Sequence, residues 1–497
     1  MTNTVRFILN GRVEVLHEVD PTMTVLTYLR TVASRRGTKE GCAEGDCGAC
    51  TVVLGELEGG RIRYRAVNSC ILFVPTLHGK QLITVEDLRA PDGSLHPVQQ
   101  SMVECNGSQC GFCTPGFVMS LFALYHSDAH RPSRHQIDDC LAGNLCRCTG
   151  YRPIVAAARR MHDLDDGGMF ALELPTPDAA ALLEAIRPID TIVLRIGERA
   201  YFAPTSLADL SELYLQHPDA YLLAGGTDVG LWVTKGHRDL NTIIYTGNVS
   251  ELKGASVTDS HLEIGAAATY TDALPTIAPH YPPLAELIRR LGSTQIRNSG
   301  TIGGNIANGS PIGDSMPALI ALGSTLVLRR GTATRELPLD EFYLDYRKTA
   351  LAPGELVERI RIPIRGARRR FATYKISRRF DQDISSVCGA YCLDLDGTRV
   401  REIRICYGGM AATPRRASRC EQTLVGGDWT RAAVERAMAV LEEDYRPIDD
   451  MRASRRYREL VARNLLLRFY LESVGDVADT QVLQYQGVTA DGRTAAR

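Results

Sequence analysis

Ten of the 14 cysteines precede residue 150, and eight of those ten have ligand spacing. Cys42, Cys47 and Cys50 lie in GCAEGDCGACTVVLGE as C-x4-C-x2-C, and Cys70 follows in a separate segment. A pair of bridged irons needs four thiolates. A tight loop can deliver three of them, and another segment brings the fourth. Glycines at 41, 45 and 48 let such a loop curl with its backbone N–H groups inward, where they stabilise sulfides carrying negative charge. The second set is Cys110 and Cys113 in C-G-F-C, with Cys146 and Cys148 in GNLCRCTGY. Structural zinc is an alternative occupant for both sets. C-x4-C-x2-C fits the two-plus-two pairing of zinc awkwardly, whereas C-x2-C…C-x-C fits it better. Clustering of this kind in a reducing compartment points to metal or redox chemistry rather than disulfides. Cys388, Cys392, Cys406 and Cys420 are scattered without metal spacing.

The elements that must position these thiols come next. VRFIL and RVEVL flank Asn10-Gly11, the signal of a hairpin with a type I′ turn. A short helical pattern at TVLTYLRTVA and strands at TVVLGEL and RYRAV complete a small mixed sheet on one helix. Four short helices follow. They start near His96-Pro97, at Thr114-Pro115, at Ser133 with Gln136 closing a capping box, and at Thr149. Cys110 and Cys113 fall between the first two helices, and Cys146 and Cys148 between the last two. An antiparallel bundle can bring both connections to one end, with the N-termini of the second and fourth helices facing the thiols. Cys105 and Cys140 fall on helices and read as packing residues.

Further along, LLAGGTDVG (222–230) and RNSGTIGGNIANGSPIGDSMPAL (297–319) combine glycines with small hydroxyl residues. Neither is a strict G-x-G-x-x-G, so the Rossmann fingerprint is absent. Either loop alone reads more readily as a surface turn. Together, and beside two electron carriers, they favour a flavin dinucleotide held by backbone amides.

Composition bounds the rest. The chain has 497 residues, 44% hydrophobic and 23% charged, with a formal net charge of −1. That is ordinary globular composition with no electrostatic footprint for nucleic acid. No apolar run reaches membrane-spanning length and no signal peptide is visible at the start, so a cytoplasmic protein is expected. The expected divisions are a ferredoxin-like domain at 1–85, a helical bundle at 86–165, a linker at 166–195 with room for one short helix, an FAD-binding domain at 196–370, a C-terminal flavoprotein domain at 371–480 and a loose tail at 481–497.

The order of C-x4-C-x2-C loop, C-G-F-C…C-R-C-T-G-Y bundle and AGGTD…GGNIANGSPIGD segment resembles the molybdenum hydroxylases. Carrying both kinds of segment in one chain, and FDQDIS at 380–385, places the resemblance on the xanthine dehydrogenase branch. It implies a multidomain α+β fold: a plant-ferredoxin-like β-grasp domain, a four-helix-bundle [2Fe–2S] domain, an FAD domain of the vanillyl-alcohol-oxidase/PCMH type and a C-terminal α/β flavoprotein domain. It implies two [2Fe–2S] clusters on the eight cysteines. It places FAD on Leu222, Leu223, Ala224, Gly225, Gly226, Thr227, Asp228 and Val229, with Thr301, Gly303, Gly304 and Asn305 from the second loop. Asp314 would reach the adenosine side, Ile360 would line the flavin, Lys375 would meet a polar flavin edge and Tyr346 would lie near the isoalloxazine. Asp381, Gln382 and Asp383 would shape the approach of NAD+, and Gln109 would face molybdopterin on a partner. No stretch of the chain is left for a molybdopterin domain. The resemblance therefore implies a large molybdopterin-binding partner, a heterotetramer or larger, and electron transfer from hypoxanthine or xanthine to NAD+ with urate as product. No residue here need be a general acid or base. Two alternatives stay open: the same role beside an aldehyde- or N-heterocycle-oxidising partner, and a stand-alone NADH-linked electron-transfer flavoprotein.

Overall fold

The computed structural model describes residues 3–90, 92–127, 131–164, 178–364, 366 and 369–475. The first part of the expected linker (166–177) and all of the expected tail lie outside these residues. The chain divides into two compact units. Unit 1 comprises Met1–Ser310, Ser324–Ile364 and Arg379–Asp383, and unit 2 comprises Pro311–Gly323, Arg365–Arg378 and Ile384–Arg497.

Unit 1 begins with the expected hairpin, Val5–Leu9 paired antiparallel with Arg12–Leu16. Asn10 (φ 50°) and Gly11 (φ 71°) take the two left-handed positions that its turn requires. A five-stranded sheet follows in the order Arg12–Leu16, Val5–Leu9, Gln81–Ile83, Thr51–Glu58, Arg61–Asn68. The strand Val5–Leu9 buries residues on both faces. Val5, Phe7 and Leu9 share one core with Ile192, Tyr201, Ile243 and Tyr245, far along the chain. On the opposite face Ile8 packs with Leu183 and Ile186, from and just beyond the short helix Ala179–Ala185 that the expected linker contains.

The bundle helices are Pro97–Glu104, Thr114–Tyr125, Arg134–Leu141 and Arg152–Arg160. Capping boxes at His96/Gln99 and Ser133/Gln136 fix the first and third starts. The fourth helix starts three residues later than Thr149. Gly150 (φ 68°) and Tyr151 (φ 67°) both hold left-handed backbone, and helical geometry resumes only at Arg152-Pro153. Cys105 and Cys140 pack against the bundle core, as expected.

The remainder of unit 1 carries two sheets. One runs Ile192–Ile196, Arg199–Ala203, Thr242–Tyr245, Tyr221–Leu223, and its last three strands are parallel. The other is antiparallel: Ala255–Val257, His261–Gly265, Leu356–Pro363, Thr325–Arg330, Ala333–Pro338.

Unit 2 is built on an antiparallel sheet of Arg369–Ile376, Val387–Asp396, Arg399–Gly408 and Arg415–Arg416. Tyr391, Leu393, Ile405 and Tyr407 bury one face under the helices Ser418–Leu424, Arg431–Asp444 and Arg455–Ser473. The helix Ser315–Leu322 belongs to this unit although it lies inside the expected FAD segment. All eight of its residues are buried, and Arg404 Nε donates to Ile320 O at 3.1 Å. Among the described residues no helix is long and apolar enough to cross a membrane.

Candidate iron–sulfur and flavin sites

Between the helical turn that ends at Val32 and the strand from Thr51, the chain curls through left-handed backbone at Ala43 (φ 55°), Gly45 (φ 82°) and Gly48 (φ 67°). The curl aims the N–H groups of Glu44, Asp46 and Cys47 at Cys42 Sγ, each at 3.4 Å. Asn68 Nδ2 braces the loop by donating to Gly45 O at 2.9 Å. All four thiols converge. Hydrogen bonds from Cys47 and then Cys70 hold the Cys42 thiol far below its ordinary value, with the Glu44 and Cys47 amides adding to the effect. The Cys47 and Cys70 thiols are pushed up, first by that contact with Cys42. Contact with Cys70 lowers the Cys50 thiol despite its burial. Four sulfurs in mutual contact, with amide donors aimed at one of them, fit a group that takes all four as thiolates. A two-iron cluster spreads its four ligands over two metals.

At the second set, Cys113 is the N-cap of the helix Thr114–Tyr125. The Cys110 thiol is lowered by the Phe112 amide and by Cys148. Burial pushes Cys113 up to about 12, and contact with Cys146 adds to this. Burial would raise Cys146 as well, but bonds from Thr149 overcome it; the Cys146 Sγ···Thr149 Oγ1 distance is 3.2 Å. The Tyr151 hydroxyl accepts from Cys146 N at 2.9 Å, which the left-handed backbone at Tyr151 makes possible. Cys110 and Cys148 are exposed, as are Gln109, Phe112 and Leu145 beside them.

The two sets are joined by backbone. Leu145 N–H, one residue before Cys146, donates to Cys47 O at 3.0 Å.

The strand Tyr221–Leu223 feeds the loop 224–228 and then the helix Val229–Thr234, whose start has no side-chain cap. An uncapped start preceded by glycines fits a pyrophosphate. The second loop lies directly against the first. A Cβ on Gly225 would overlap the Ser299 carbonyl, and one on Gly300 would lie 3.4 Å from Thr227 Oγ1. The second loop's own amides are engaged: Gly303 N with Ala266 O (3.2 Å), Gly304 N with Thr301 Oγ1 (3.0 Å) and Asn305 N with Thr301 O (3.0 Å). It therefore seats the first loop more than it offers donors of its own. Ile71, next to Cys70, presses its carbonyl on this cradle, 3.2 Å from a Cβ on Gly226 and 2.5 Å from one on Gly230. Thr234 Oγ1 also donates to Ala43 O at 2.8 Å.

The other expected residues are less gathered. Asp314 and Lys375 meet each other in unit 2, with Nζ to Oδ2 at 2.6 Å, and Ser385 Oγ donates to Asp314 Oδ1 at 2.5 Å. Ile360 is fully buried between Ile264 and Leu326 on neighbouring strands. Tyr346 stands exposed at the tip of the hairpin 343–349, with the Arg347 guanidinium 5.3 Å from its ring. Arg347 also opposes the rise that burial imposes on the Asp228 carboxyl. The 379–383 loop lies against the bundle, where Gln382 Nε2 donates to Ala142 O at 3.0 Å. Asp383 Oδ2 accepts from Arg379 N at 2.8 Å, and Asp381 is raised by burial and by Asp139. Asn68, Ile71, Asn144 and Gln295 were not expected from the sequence. Asn68 and Asn144 sit two residues before a cysteine ligand candidate, and that adjacency was the available signal.

Two four-cysteine sites and a glycine cradle in one chain define an iron–sulfur flavoprotein. Comparison with known proteins narrows this. Residues 7–74 match a 2Fe-2S iron-sulfur cluster binding domain and 84–159 a [2Fe-2S] binding domain. Residues 195–365 match the FAD binding domain in molybdopterin dehydrogenase, and 372–473 the CO dehydrogenase flavoprotein C-terminal domain. The chain is 32% identical to a xanthine dehydrogenase of Emericella nidulans over 96% of its own length and 39% of that protein. It thus spans about two fifths of the curated relative it matches. A carbon monoxide dehydrogenase of Hydrogenophaga pseudoflava matches at 30% identity and TM-score 0.51, covering 54% of this chain and 94% of that one. Quinoline 2-oxidoreductase of Pseudomonas putida 86 matches at 26% identity and TM-score 0.51, covering 56% and 98%. The chain belongs to the molybdenum hydroxylase family, as its electron-transferring iron–sulfur and FAD-binding part.

Proposed function

We propose that this chain is the small subunit of a xanthine dehydrogenase of the bacterial kind, a cytoplasmic enzyme. In this reading it docks on a larger molybdopterin-binding subunit, in a heterotetramer or larger, and passes the electrons of hypoxanthine or xanthine oxidation to NAD+. The observation that carries the reading is the place of the Cys42–Cys50 loop. It is bonded through Cys47 O to the stretch that bears Cys146, and through Ala43 O and the neighbouring Ile71 carbonyl it rests on the flavin cradle. A middle carrier needs contact on both sides.

When bound, the clusters carry single electrons and the flavin stores two for delivery as a hydride. The chain's residues do the holding. Cys42, Cys47, Cys50 and Cys70 take one cluster, and Cys110, Cys113, Cys146 and Cys148 the other. The 224–228 loop takes the pyrophosphate. Exposed Gln109, Phe112 and Leu145 give the second site a face for the molybdopterin chain. Tyr346, exposed on its hairpin, would lie near the isoalloxazine, and the 381–383 loop would shape the approach of NAD+.

The test is to purify the native complex and measure iron, sulfide, FAD and molybdenum, then NADH formation with xanthine. About four irons and one FAD per chain with xanthine-dependent NADH is the expected result. Turnover of another substrate with none of xanthine would instead favour the N-heterocycle reading, which the likeness to quinoline 2-oxidoreductase supports.

A further inference from the structure

Gln295 lies on the short helix Thr294–Arg297 and is 1% exposed. Its Nε2 donates to Asn144 Oδ1 at 3.0 Å and to Ser120 Oγ at 3.1 Å, with Thr51 Oγ1 at 3.4 Å. Ser120 Oγ also donates to Asn144 Oδ1 at 2.7 Å, and Asn144 Nδ2 donates to Gly48 O at 3.1 Å. Glycines make room for this knot: a Cβ on Gly116 would overlap the Gly48 carbonyl, and one on Gly143 would overlap Gln295 Oε1. That oxygen is buried without a hydrogen-bond partner.

Except for Ser120, the groups that Gln295 reaches directly or through Asn144 stand close to a thiol in sequence. Thr51 follows Cys50, Gly48 follows Cys47, and Asn144 is two residues from Cys146. On its own side, the next residue, Ile296, accepts from Gly300 N at 2.7 Å at the start of the second flavin loop, and its side chain packs with Cys50, Cys70 and Ile71. An apolar side chain would fill this space without preferring one register. A buried amide bonded to three neighbours tolerates only one, because displacement strands polar groups away from water.

We propose that Gln295 is a positioning residue that fixes the separation and orientation of the two iron–sulfur sites and aligns the second flavin loop with them. This rests on the reading of the eight cysteines as cluster ligands. Gln295 touches none of them and acts through Asn144, Gly48 and Thr51.

The test uses the full protein as purified, with Gln295→Met (similar length, no hydrogen bonding) and Ser120→Ala. Iron and flavin content are measured first, then the magnetic dipolar splitting between the two reduced centres by electron paramagnetic resonance. The expected result is wild-type iron and flavin with a shifted splitting in Gln295→Met and a smaller shift in Ser120→Ala. Unchanged splitting in both variants overturns the proposal. So does loss of iron that merely tracks loss of folded protein while the remainder keeps the wild-type splitting. Should Gln295→Met fail to accumulate, the Ser120→Ala spectrum decides by the same criterion. A wild-type protein without iron would refute the cluster reading itself, which is a different outcome.

Discussion

Replacing Gly48 by alanine imposes two penalties, and replacing Gly59 imposes one of them. Both glycines hold left-handed backbone, at φ 67° and 57°. For an L-residue this costs about 1–2 kcal/mol. A Cβ on Gly59 meets nothing within 4 Å. A Cβ on Gly48 would overlap the Gly143 carbonyl and lie 2.5 Å from Asn144 Nδ2 and 3.0 Å from Asn144 Cα. Two of those atoms are backbone and cannot rotate away, so the ferredoxin-type loop and the bundle must separate. Overpacking of this kind costs about 1–3 kcal/mol, which brings the whole to about 2–5 kcal/mol for Gly48→Ala. Each kcal/mol lowers Tm by about 2–4 °C in a domain of about 150–250 residues, and by less in a larger unit. Scanning calorimetry of the two variants should therefore show Gly48→Ala falling several degrees further than Gly59→Ala, with iron loss only in the former. Equal decreases would refute the claim that the two iron–sulfur modules meet backbone to backbone at this glycine.

Glu56→Gln should destabilise unit 1 by about 2–3 kcal/mol. It leaves Lys80 without the carboxylate 2.6 Å away, and the partial exposure of both side chains (15% and 23%) keeps the cost below that of a fully buried pair. Burial opposes ionisation of Glu56, but Lys80 and Lys253 outweigh it and hold the carboxyl at about 2. A depressed folded value contributes stability that is complete above the ordinary value near 4.5 and lost as pH falls toward about 2, so the gap between wild type and Glu56→Gln in urea unfolding should be narrower at pH 3 than at pH 6. Cys70→Ser should abolish the spectroscopic signal of one reduced cluster and Cys148→Ser that of the other, each with about half the iron lost; loss of both signals from either change would contradict separate sites. Lys375→Met removes the ammonium that faces the buried Asp314 carboxylate at 2.6 Å while keeping the Ser385 hydrogen bond, and should cost about 3–5 kcal/mol in thermal unfolding and lower FAD content.

The cysteine sites were legible because their information is local. A C-x4-C-x2-C loop with glycines carries its ligands, its curl and its inward amides in nine residues. The hairpin and the Ser133/Gln136 capping box were legible for the same reason, since each is written within a few neighbouring positions. The start of the fourth bundle helix was not, because Tyr151 carries no sign that it will hold left-handed backbone. The Lys375–Asp314 pair joins residues 61 apart, and no spacing rule connects them. Gln295 is a single glutamine in an undistinguished turn; its role depends on glycines at 48, 116 and 143, which clear space for it from three directions.

The least legible feature is also the one that bears most on function. The sequence divides naturally into a ferredoxin-like domain, a linker and a flavin domain, yet Phe7 and Leu9 of the first share a core with Tyr201, Ile243 and Tyr245 of the last. A stretch within the expected linker contributes Leu183 to the opposite face of the same strand. Inter-domain interfaces are usually polar and allow motion. A shared apolar core does not, because separating its halves would expose fully buried Phe7, Tyr201 and Ile243 to water. Carriers that exchange electrons by proximity gain from such a joint. The Cys42–Cys50 loop is held against the flavin cradle by the core that folds the chain, and against the bundle by Leu145 and Asn144, so both of its neighbours stay in place without a docking step.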